Sequence, residues 1–394
     1  MSPNQTQETG EGGVPRNVVP GIVAISVDDV NADERSLRSR DAAEAAGGAI
    51  ATRGELGEFF GDDELAERVS RFADFALVAD NPVAAARRAV ESGPGIAASP
   101  VHRLGFHWHQ LYSAIQPQDR TGFEFPEVAS GDPGRIVAVV DTGIVNPGSL
   151  PGWMSSSVVH SPGDREELTD GSISHGTFVA SLLRQIAPTH TVSMARADAF
   201  EDEPQGATHP EPYPTTEFHV AGAIDRLIER HRGRCRIDAL HLAVGGPTAD
   251  EQETVTLRTA IDRWREHFPD VPIFAAAGNS HHEERIFPAV FRHVRGVSAA
   301  AEGGEQIVWD DDGNEISPPD RDWVDDLAPG SNLIGLGGRE PAHAASWSGS
   351  SFATAVATAS YLNGGPVEVR AGIAHWPNRI VRYGDVPGLH FDST

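Results

Sequence analysis

The feature that most restricts the fold of this chain is a regular alternation of strand and helix patterns between residues 135 and 362. It opens with the unbroken apolar run at 136–141 (IVAVVD), which is typical of a parallel strand buried on both faces. Later patterns predict strands at 192–197, 237–244, 272–277 and 294–300, and helices at 175–186, 217–231, 250–267 and about 351–362. This alternation predicts an α/β fold with a doubly wound, mostly parallel sheet and functional residues at the carboxyl ends of its strands.

A shorter alternation precedes this domain. Its patterns predict strands at 21–27, 48–53, 75–79 and 96–99, and helices at 33–46, 64–72 and 83–92. Asn81 is the expected N-cap of the last helix, with Pro82 at its first position. Two strand–helix–strand halves predict a small ferredoxin-like α+β domain. We therefore expect a flexible polar tail (1–20), the α+β domain (21–108) and the large α/β domain (109–394).

Composition argues against several kinds of partner. The net charge of −26 disfavours nucleic acid and anionic membrane surfaces, and no apolar run approaches the length of a membrane-spanning helix. The single cysteine, Cys235, excludes an internal disulfide framework, and the polar residues 1–21 do not read as a secretory signal. Both facts predict a cytoplasmic protein, although a mature fragment of a longer precursor would look the same.

Polar residues that could take part in catalysis lie where predicted strands end or predicted helices begin. Asp141 ends the strand at 136–141, and His175 opens a helix after Ser174. Ser351 starts a small-residue helix, where its hydroxyl and backbone N–H would face developing negative charge. Asn279 follows another apolar strand and has a side-chain amide that can donate to an oxyanion. Each signal alone is equally compatible with a turn, a helix cap or a packed residue.

Together, these segments resemble the signature blocks of the subtilisin-like (subtilase) peptidases. The blocks are VAVVDTGI, SHGTFVASLL, AAAGNS and SGSSFATA, and their order Asp…His…Ser is the subtilisin order. The resemblance covers about residues 136–362. It implies that Ser351 is the nucleophile, His175 the general base and Asp141 the residue that orients it. It also implies an oxyanion hole formed by Asn279 and the backbone N–H of Ser351.

The same resemblance implies a function. LAVGG at 242–246 is similar to the wall of the family's specificity pocket, and FPA at 287–289 and LAPG at 327–330 are similar to later blocks. The implied substrate-binding residues are Gly245, Gly246, Ala277 and Gly278. The expected protein is a serine endopeptidase that hydrolyses protein or peptide substrates through an acyl-enzyme, with no cofactor and no metal. The domain at 21–108 resembles the family's propeptide in size and pattern.

A propeptide-like domain would assist folding, cover the cleft as an intramolecular inhibitor or chaperone, and be cleaved between Pro100 and Gln118. The alternative for this domain is an unrelated accessory domain. For the whole chain, one alternative is a catalytically silent subtilase-like scaffold that binds peptides or a regulatory partner. The presence of all four catalytic residues argues against it. Another alternative is peptide ligation by the same triad, for which the sequence shows neither a stronger nucleophile nor restricted water access.

The chain departs from the family pattern at several positions. Ser350 stands where threonine is usual, Ala355 where proline is usual, Phe178 where a second histidine is usual, and Ala243 where serine is usual. None of these changes removes a catalytic group. An acidic, proline-rich stretch at 200–217 replaces the usual glycine-containing substrate-binding strand. The resemblance therefore implies no subsite preference.

Three further motifs carry weaker signals. His102, His107 and His109 are possible zinc ligands, but no cysteine or carboxylate lies nearby in sequence, which favours an exposed linker. Residues 310–315 (DDDGNE) offer calcium-type oxygens and equally form a hairpin turn, which we favour. Residues 281–284 (HHEE) either line the pocket or form a solvated loop, and we favour the loop.

Overall fold

The structure is a computed structural model that describes most of the chain. The described residues are 17–28, 30–104, 117–120, 122–125, 128–164, 174–197, 215–234, 236–249, 253–281, 283–301, 304–310, 314–318, 321–337, 343–364 and 379–380. Of the expected flexible tail, residues 1–16 lie outside this set, and Val18 already belongs to the first strand. None of the helices in the described part of the chain is long and apolar enough to cross a membrane.

The first part of the chain forms an α+β unit, called here the N-terminal unit. Its elements are β1 (Val18–Val27), α1 (Ala32–Ala45), β2 (Gly48–Ile50), α2 (Arg53–Phe60), α3 (Asp63–Val69), β3 (Asp74–Val78), α4 (Pro82–Glu91) and β4 (Ile96–Leu104). The strands are antiparallel and run in the order β2-β3-β1-β4. This order confirms the predicted ferredoxin-like arrangement, because each strand–helix–strand half places its two strands around a strand of the other half.

One helix of the N-terminal unit was not predicted. The predicted strand at 48–53 ends at Ile50, and α2 begins at Arg53. Thr52 and Glu55 form a capping box: the Thr52 hydroxyl accepts from the Glu55 N–H, and the Glu55 carboxylate accepts from the Thr52 N–H. The spacing Thr-x-x-Glu was visible in the sequence and marks the helix start. As expected, the Asn81 side chain caps α4 by accepting from the Val83 N–H at 2.9 Å.

The rest of the chain is built on an eight-stranded parallel sheet. Its elements are β5 (Gln118–Asp119), β6 (Asp132–Asp141), α5 (Gly152–Ser155), β7 (Val158–Val159), α6 (His175–Ile186), β8 (His190–Arg196), β9 (Thr215–Thr216), α7 (Glu217–His231), β10 (Arg236–Leu242), α8 (Val255–His267), β11 (Ile273–Ala276), β12 (Val294–Ala300), β13 (Val308–Trp309), β14 (Glu315–Ile316), β15 (Asp326–Pro329), β16 (Leu333–Leu336), β17 (Ala344–Trp347), α9 (Ser350–Leu362) and β18 (Arg379–Ile380). The sheet order is β18-β15-β12-β11-β10-β6-β8-β7, and every neighbouring pair is parallel. This confirms the doubly wound α/β fold.

Helices cover both faces of the parallel sheet. Side chains along β6 alternate between two core clusters, with Ile136 and Val140 in the cluster of α7 and α8, and Val137 and Val139 in the cluster of α6 and α9. The helix predicted at 250–267 begins later, at Val255, and residues 250–252 lie outside the described set. The chain leaves β6 toward β8 on one side and reaches β10 on the other, so the sheet order switches direction at β6. Such a switch point is where open α/β sheets place their ligand sites.

The N-terminal unit packs on the outer surface of α7 and α8. The rings of Phe60 and Phe75 contact Phe218 of α7, with centroids 4.4 and 4.9 Å apart. The opposite face of its sheet is covered by α1 and α4, which form a separate core cluster. In addition, β4 pairs antiparallel with β9, the short strand that directly precedes α7. The sheet of the N-terminal unit therefore continues into the α/β domain.

Candidate active site

Asp141 and His175 meet at the carboxyl edge of the parallel sheet. Asp141 is the last residue of β6 and His175 the first residue of α6, and both are buried. The distance from Asp141 Oδ1 to His175 Nδ1 is 2.7 Å. The same oxygen accepts a 2.7 Å hydrogen bond from the Thr142 N–H, and the Ser174 side chain caps α6 by accepting from the Thr177 N–H. These hydrogen bonds fix the position of the end of β6 relative to the start of α6.

Two glycines permit this close approach. A Cβ on Gly176 would lie 2.0 Å from the carbonyl oxygen of Gly143, so no larger residue fits next to His175. Gly143 has a φ of 111°, a conformation that other residues rarely adopt. The Gly176 N–H donates to the Thr142 hydroxyl at 3.0 Å. The Asp-Thr-Gly and His-Gly motifs therefore have a steric reason as well as a chemical one.

Burial governs the electrostatics of this pair. Removal from water raises the pKa of Asp141 above its usual value, although the hydrogen bonds from Thr142 oppose the shift. The same desolvation lowers the pKa of His175. A cation on the ring is therefore disfavoured, and the two groups share one proton across the hydrogen bond. With Asp141 as the carboxylate, Nδ1 carries that proton, and the neutral imidazole can accept another at Nε2.

Ser351 lies on the first turn of α9, beside the starts of the other site segments. Its side chain is buried, and its hydroxyl donates to the carbonyl of Ala243 at 3.3 Å. The next residue, Phe352, has its ring 5.1 Å from the His175 ring. The first turn of α9 therefore packs against the first turn of α6. Because Ser351 is at a helix start, its backbone N–H has no intrahelical partner.

Aromatic side chains enclose the histidine. Trp347 contacts His175 edge-on with centroids 5.5 Å apart, and Phe178 packs on both Trp347 and Phe352. Phe178 occupies the position where the resembling family usually has a second histidine, and here it is part of the apolar wall. Neither Trp347 nor Phe352 was predicted as a site residue, and the only sequence signal for them is their position beside the Gly-Ser-Ser motif.

Asn279 follows β11 and faces the start of α9. Its Oδ1 accepts from the Ser350 N–H, and its own carbonyl accepts from the Trp309 N–H at 3.0 Å. A Cβ built on Gly349 would lie 3.4 Å from Asn279 Nδ2, so the amide nitrogen faces the start of α9. The hydrogen bond from the Ser350 N–H therefore fixes the orientation of the amide, with its nitrogen beside Gly349.

The predicted substrate-binding residues lie just beyond two neighbouring strands. Gly245 and Gly246 follow β10, and Ala277 and Gly278 follow β11, which pairs with β10. Gly246 and Phe287 exchange both backbone hydrogen bonds, at 2.9 and 3.0 Å. The two glycine-containing segments thus leave the sheet side by side.

A second buried histidine, His241, lies on β10 and was not among the predicted site residues. Its Nδ1 is 3.3 Å from the Thr358 hydroxyl of α9, and its buried Nε2 has no hydrogen-bond partner among the described residues. Burial and the nearby His175 lower its pKa to about 3. The alternation of core residues along β10 was the only signal for its position.

The weaker sequence motifs resolve in different ways. The expectation of an exposed linker was wrong for His102, which is buried in β4 and lies 2.6 Å from the carboxylate of Glu217. Its partner is distant in sequence, and His107 and His109 lie outside the described residues. Asp310 and Asn314 hydrogen-bond at the base of the β13–β14 hairpin, which supports the turn. Residue 282, within the segment 281–284, also lies outside the described residues. Within the described ranges, no group of three or more His, Cys, Asp or Glu could hold a metal ion.

Comparisons with known proteins identify the family of this chain. The model of the subtilase family matches residues 132–362. The chain therefore belongs to the subtilase family, a family of serine peptidases, and its substrates are expected to be peptides. No curated protein matches the chain.

Similar solved structures include other peptidases. One is the prenylagaramide maturation protease PagA, at 24% identity over 59% of this chain and 76% of that one, with a TM-score of 0.45. Another is the patellamide maturation protease PatA, at 22% identity over 59% and 79%, with a TM-score of 0.44. A cold adapted subtilisin-like serine proteinase matches at 20% identity over 65% and 85%, with a TM-score of 0.43.

Proposed function

We propose that the chain is a serine endopeptidase that hydrolyses peptide bonds through an acyl-enzyme on Ser351. The observation that carries the proposal is the 2.7 Å contact of His175 with Asp141 at the start of α6, packed against the first turn of α9. A neutral, oriented imidazole next to a helix-start hydroxyl is the arrangement that activates a serine for acyl transfer.

The proposed reaction proceeds in two halves. His175 takes the proton from the Ser351 hydroxyl as the oxygen attacks the scissile carbonyl, and Asp141 stabilises the imidazolium that forms. His175 then gives this proton to the leaving amine, which departs and leaves an ester on Ser351. In the second half, His175 takes a proton from water as the water oxygen attacks the ester. His175 then gives this proton to the departing Ser351 oxygen, which releases the acid product and restores the serine hydroxyl.

The negative charge of each tetrahedral intermediate is placed at an oxyanion hole. Its donors are the Ser351 backbone N–H and the Asn279 side-chain amide, whose orientation is fixed by the Ser350 N–H on its oxygen. Donors held in place before the reaction stabilise developing charge without reorganisation. The hydrogen bond of Asn279 to Ser350 is therefore part of the proposed machinery.

We also propose that the N-terminal unit inhibits the site from within the chain. Its last strand, β4, pairs with β9 and ends at Leu104. A Cβ on Gly246 would lie 3.2 Å from Cδ2 of Leu104, so this strand runs along one of the predicted substrate-binding segments. The last residue of β4, Leu104, therefore lies next to the predicted site. Cleavage between Pro100 and Gln118 would then free the cleft, and residues 105–116 of that segment lie outside the described set.

Buried polar contacts support this role because they tie the unit to the α/β domain. Glu217 Oε1 accepts from the His102 backbone N–H at 2.8 Å and lies 2.6 Å from His102 Nδ1. The Asn17 amide donates to the Pro247 carbonyl at 3.0 Å, and the Val255 N–H donates to Ser99. The unit is therefore bound by specific contacts near the cleft and not only by its apolar face.

The cytoplasm is the location we propose, since a chain with one cysteine needs no oxidising compartment to form disulfides. Fractionation of native host cells with an antibody to the chain tests it. Recovery from the secreted fraction would overturn it.

The proposed function is tested by a fluorophosphonate serine-hydrolase probe together with intact-mass analysis of the full chain. Ser351→Ala should abolish labelling and lower peptide hydrolysis by about 10⁶-fold, because the nucleophile is lost. The matched control is Ser350→Ala, which removes the neighbouring hydroxyl and should be labelled like the wild type.

The outcomes separate the parts of the proposal. A mass loss between Pro100 and Gln118 in the labelled wild type would show self-maturation, and labelling without mass loss would make the N-terminal unit a permanent domain. Absence of labelling in the folded wild type, and in a variant with a loosened unit such as His102→Ala, would favour the silent scaffold.

A further inference from the structure

The side chain next to the scissile carbonyl would enter a defined space. A carbonyl bound by the Ser351 N–H and the Asn279 amide lies beside the Ala243 carbonyl, which accepts from the Ser351 hydroxyl. The segments after β10 and β11 leave the sheet side by side, since these strands are adjacent. The substrate side chain preceding the cleaved bond (P1) would therefore point between the segment of Gly245 and that of Gly278.

Ile286 occupies this space. A Cβ on Gly245 would lie 2.8 Å from Cγ2 of Ile286, and a Cβ on Gly278 would lie 2.7 Å from its Cγ1. The same isoleucine thus packs against both glycines, one branch against each, and its side chain is 6% exposed. Gly278 also has a φ of 89°, so neither the backbone nor the space there suits a larger residue.

The position of Ile286 is fixed by its neighbours. The next residue, Phe287, donates to and accepts from Gly246 through the backbone, and its side chain is buried in the main core. The Ile286 carbonyl accepts from the Val290 N–H at 3.1 Å. Isoleucine is also restricted at χ1 by its branched Cβ. The side chain therefore cannot swing aside without breaking this pairing or the core contacts of Phe287.

We propose that Ile286 is a specificity-determining residue that closes the P1 pocket, so that the enzyme cleaves after glycine, alanine or serine and rejects larger residues. The inference rests on the proposed function, because it concerns the substrate of the same site. When a pocket lacks room for part of a side chain, the transition state for the larger substrate is bound less tightly. Each methylene that does not fit lowers kcat/KM by about 10–200-fold relative to the smaller substrate. Bulky P1 residues therefore react slowly even where the rest of the substrate binds.

The test uses two peptidyl diphenyl phosphonates of identical sequence that carry alanine or phenylalanine at P1 and react covalently with Ser351. The full wild-type chain should react with the alanine probe about 100-fold faster than with the phenylalanine probe. In Ile286→Ala, which removes the branches that touch the two glycines, the ratio of the two rates should shift toward phenylalanine by about 100-fold. Ile286→Val should give an intermediate ratio.

The ratio cancels differences in the amount of folded protein, because both rates come from one preparation. The matched control is Ile237→Ala, which truncates an equally buried isoleucine at the amino end of β10, on the far edge of the sheet. It should leave the ratio unchanged. The wild-type ratio needs no variant, so a failure of Ile286→Ala to fold leaves the proposal testable.

Wild-type protein that reacts equally well with both probes, or a ratio unaffected by Ile286→Ala, would overturn the inference while the proposed function stands. A folded chain that reacts with neither probe and with no small fluorophosphonate, and whose His102→Ala variant is equally unreactive, would remove the proposed function instead.

Discussion

Two of the buried histidine–carboxylate pairs have similar geometry but lie in different regions of this molecule. His175 is 2.7 Å from Asp141 at the carboxyl edge of the parallel sheet, and His102 is 2.6 Å from Glu217 where β4 meets α7. All four side chains are buried, and each pair places one member on the first turn of a helix. By distance and burial alone, the two pairs cannot be told apart.

The difference lies in what surrounds each ring. His102 Nε2 accepts from the Ala249 N–H at 2.9 Å, and Glu217 also accepts from the His102 backbone. Both ring nitrogens are thus used to fasten the N-terminal unit to the α/β domain. His175 is instead packed against the ring of Trp347 at the end of β17, and against the ring of Phe352 on the turn that carries Ser351. A histidine–carboxylate pair therefore indicates catalysis only when its second nitrogen can reach a reacting group.

The largest expected difference between the pairs is in activity. His175→Ala should lower peptide hydrolysis by about 10⁶-fold, because the nucleophile loses its base. His102→Ala should preserve the chemistry, and under the proposed inhibition it should speed labelling of Ser351 because it loosens the contact of β4 with the α/β domain. Labelling rates of the two variants with the fluorophosphonate probe measure both effects.

Stability provides the control for this comparison. His102→Ala leaves the Ala249 N–H unpaired in the interior and removes one of the two hydrogen bonds that Glu217 Oε1 accepts, which should lower the free energy of unfolding by about 1–3 kcal/mol. Urea unfolding of the full chain measures this change in the free energy of unfolding. The comparison fails if folded His102→Ala cannot be labelled while His175→Ala can.

The carboxylates should differ by a smaller factor. Asp141→Asn should lower turnover by about 10⁴-fold, because an amide can stabilise the wrong imidazole tautomer and cannot balance the imidazolium. Glu217→Gln keeps an oxygen that accepts from both His102 groups, and the atom it converts to a donor, Oε2, has no partner in the structure. This variant should retain activity within about tenfold and lose about 1 kcal/mol of stability.

Steady-state hydrolysis of a peptide with alanine at P1 measures the two variants side by side. Equal losses of activity for Asp141→Asn and Glu217→Gln would mean that the His102–Glu217 pair also supports the reaction. The distinction between a structural pair and a catalytic pair would then be wrong.

The sequence predicted those parts of the fold that are fixed by local patterns. The predicted bounds of α6, α7 and β12 agree with the structure to the residue, because strong apolar periodicity and clear ends coincide there. By contrast, α2 was missed, because a short helix with one buried leucine has little periodicity, although its capping box was readable.

Features that depend on tertiary contact were not predictable in this way. His102 appeared to lack a carboxylate, since Glu217 is 115 residues away in sequence and reaches it only when β4 docks. Ile286 looked like an ordinary apolar residue, and its place between Gly245 and Gly278 follows from the packing of three separate segments. The predicted triad residues converged on one edge because each was tied to a strand end or helix start, which the sheet brings together.

Another buried histidine, His241, extends the comparison through the pH dependence of stability. His241 has no carboxylate partner in its described contacts, and burial lowers its pKa to about 3 from 6.5. Between these values the unfolded chain binds a proton that the folded chain does not, so the free energy of unfolding falls as pH falls. The contribution of this residue is about 1.4 kcal/mol per pH unit.

His241→Asn should therefore reduce the slope of stability against pH by about one proton between roughly pH 6 and pH 4. Thr358→Val removes the hydroxyl beside His241 without removing a titratable group, and it should leave the slope nearly unchanged while lowering stability at every pH. Urea unfolding of the full chain at several pH values measures these slopes. A slope that His241→Asn does not change would mean that the ring is already protonated in the folded chain. Such a charge beside His175 would disfavour the imidazolium, and the proposed base would then need Asp141 even more strongly.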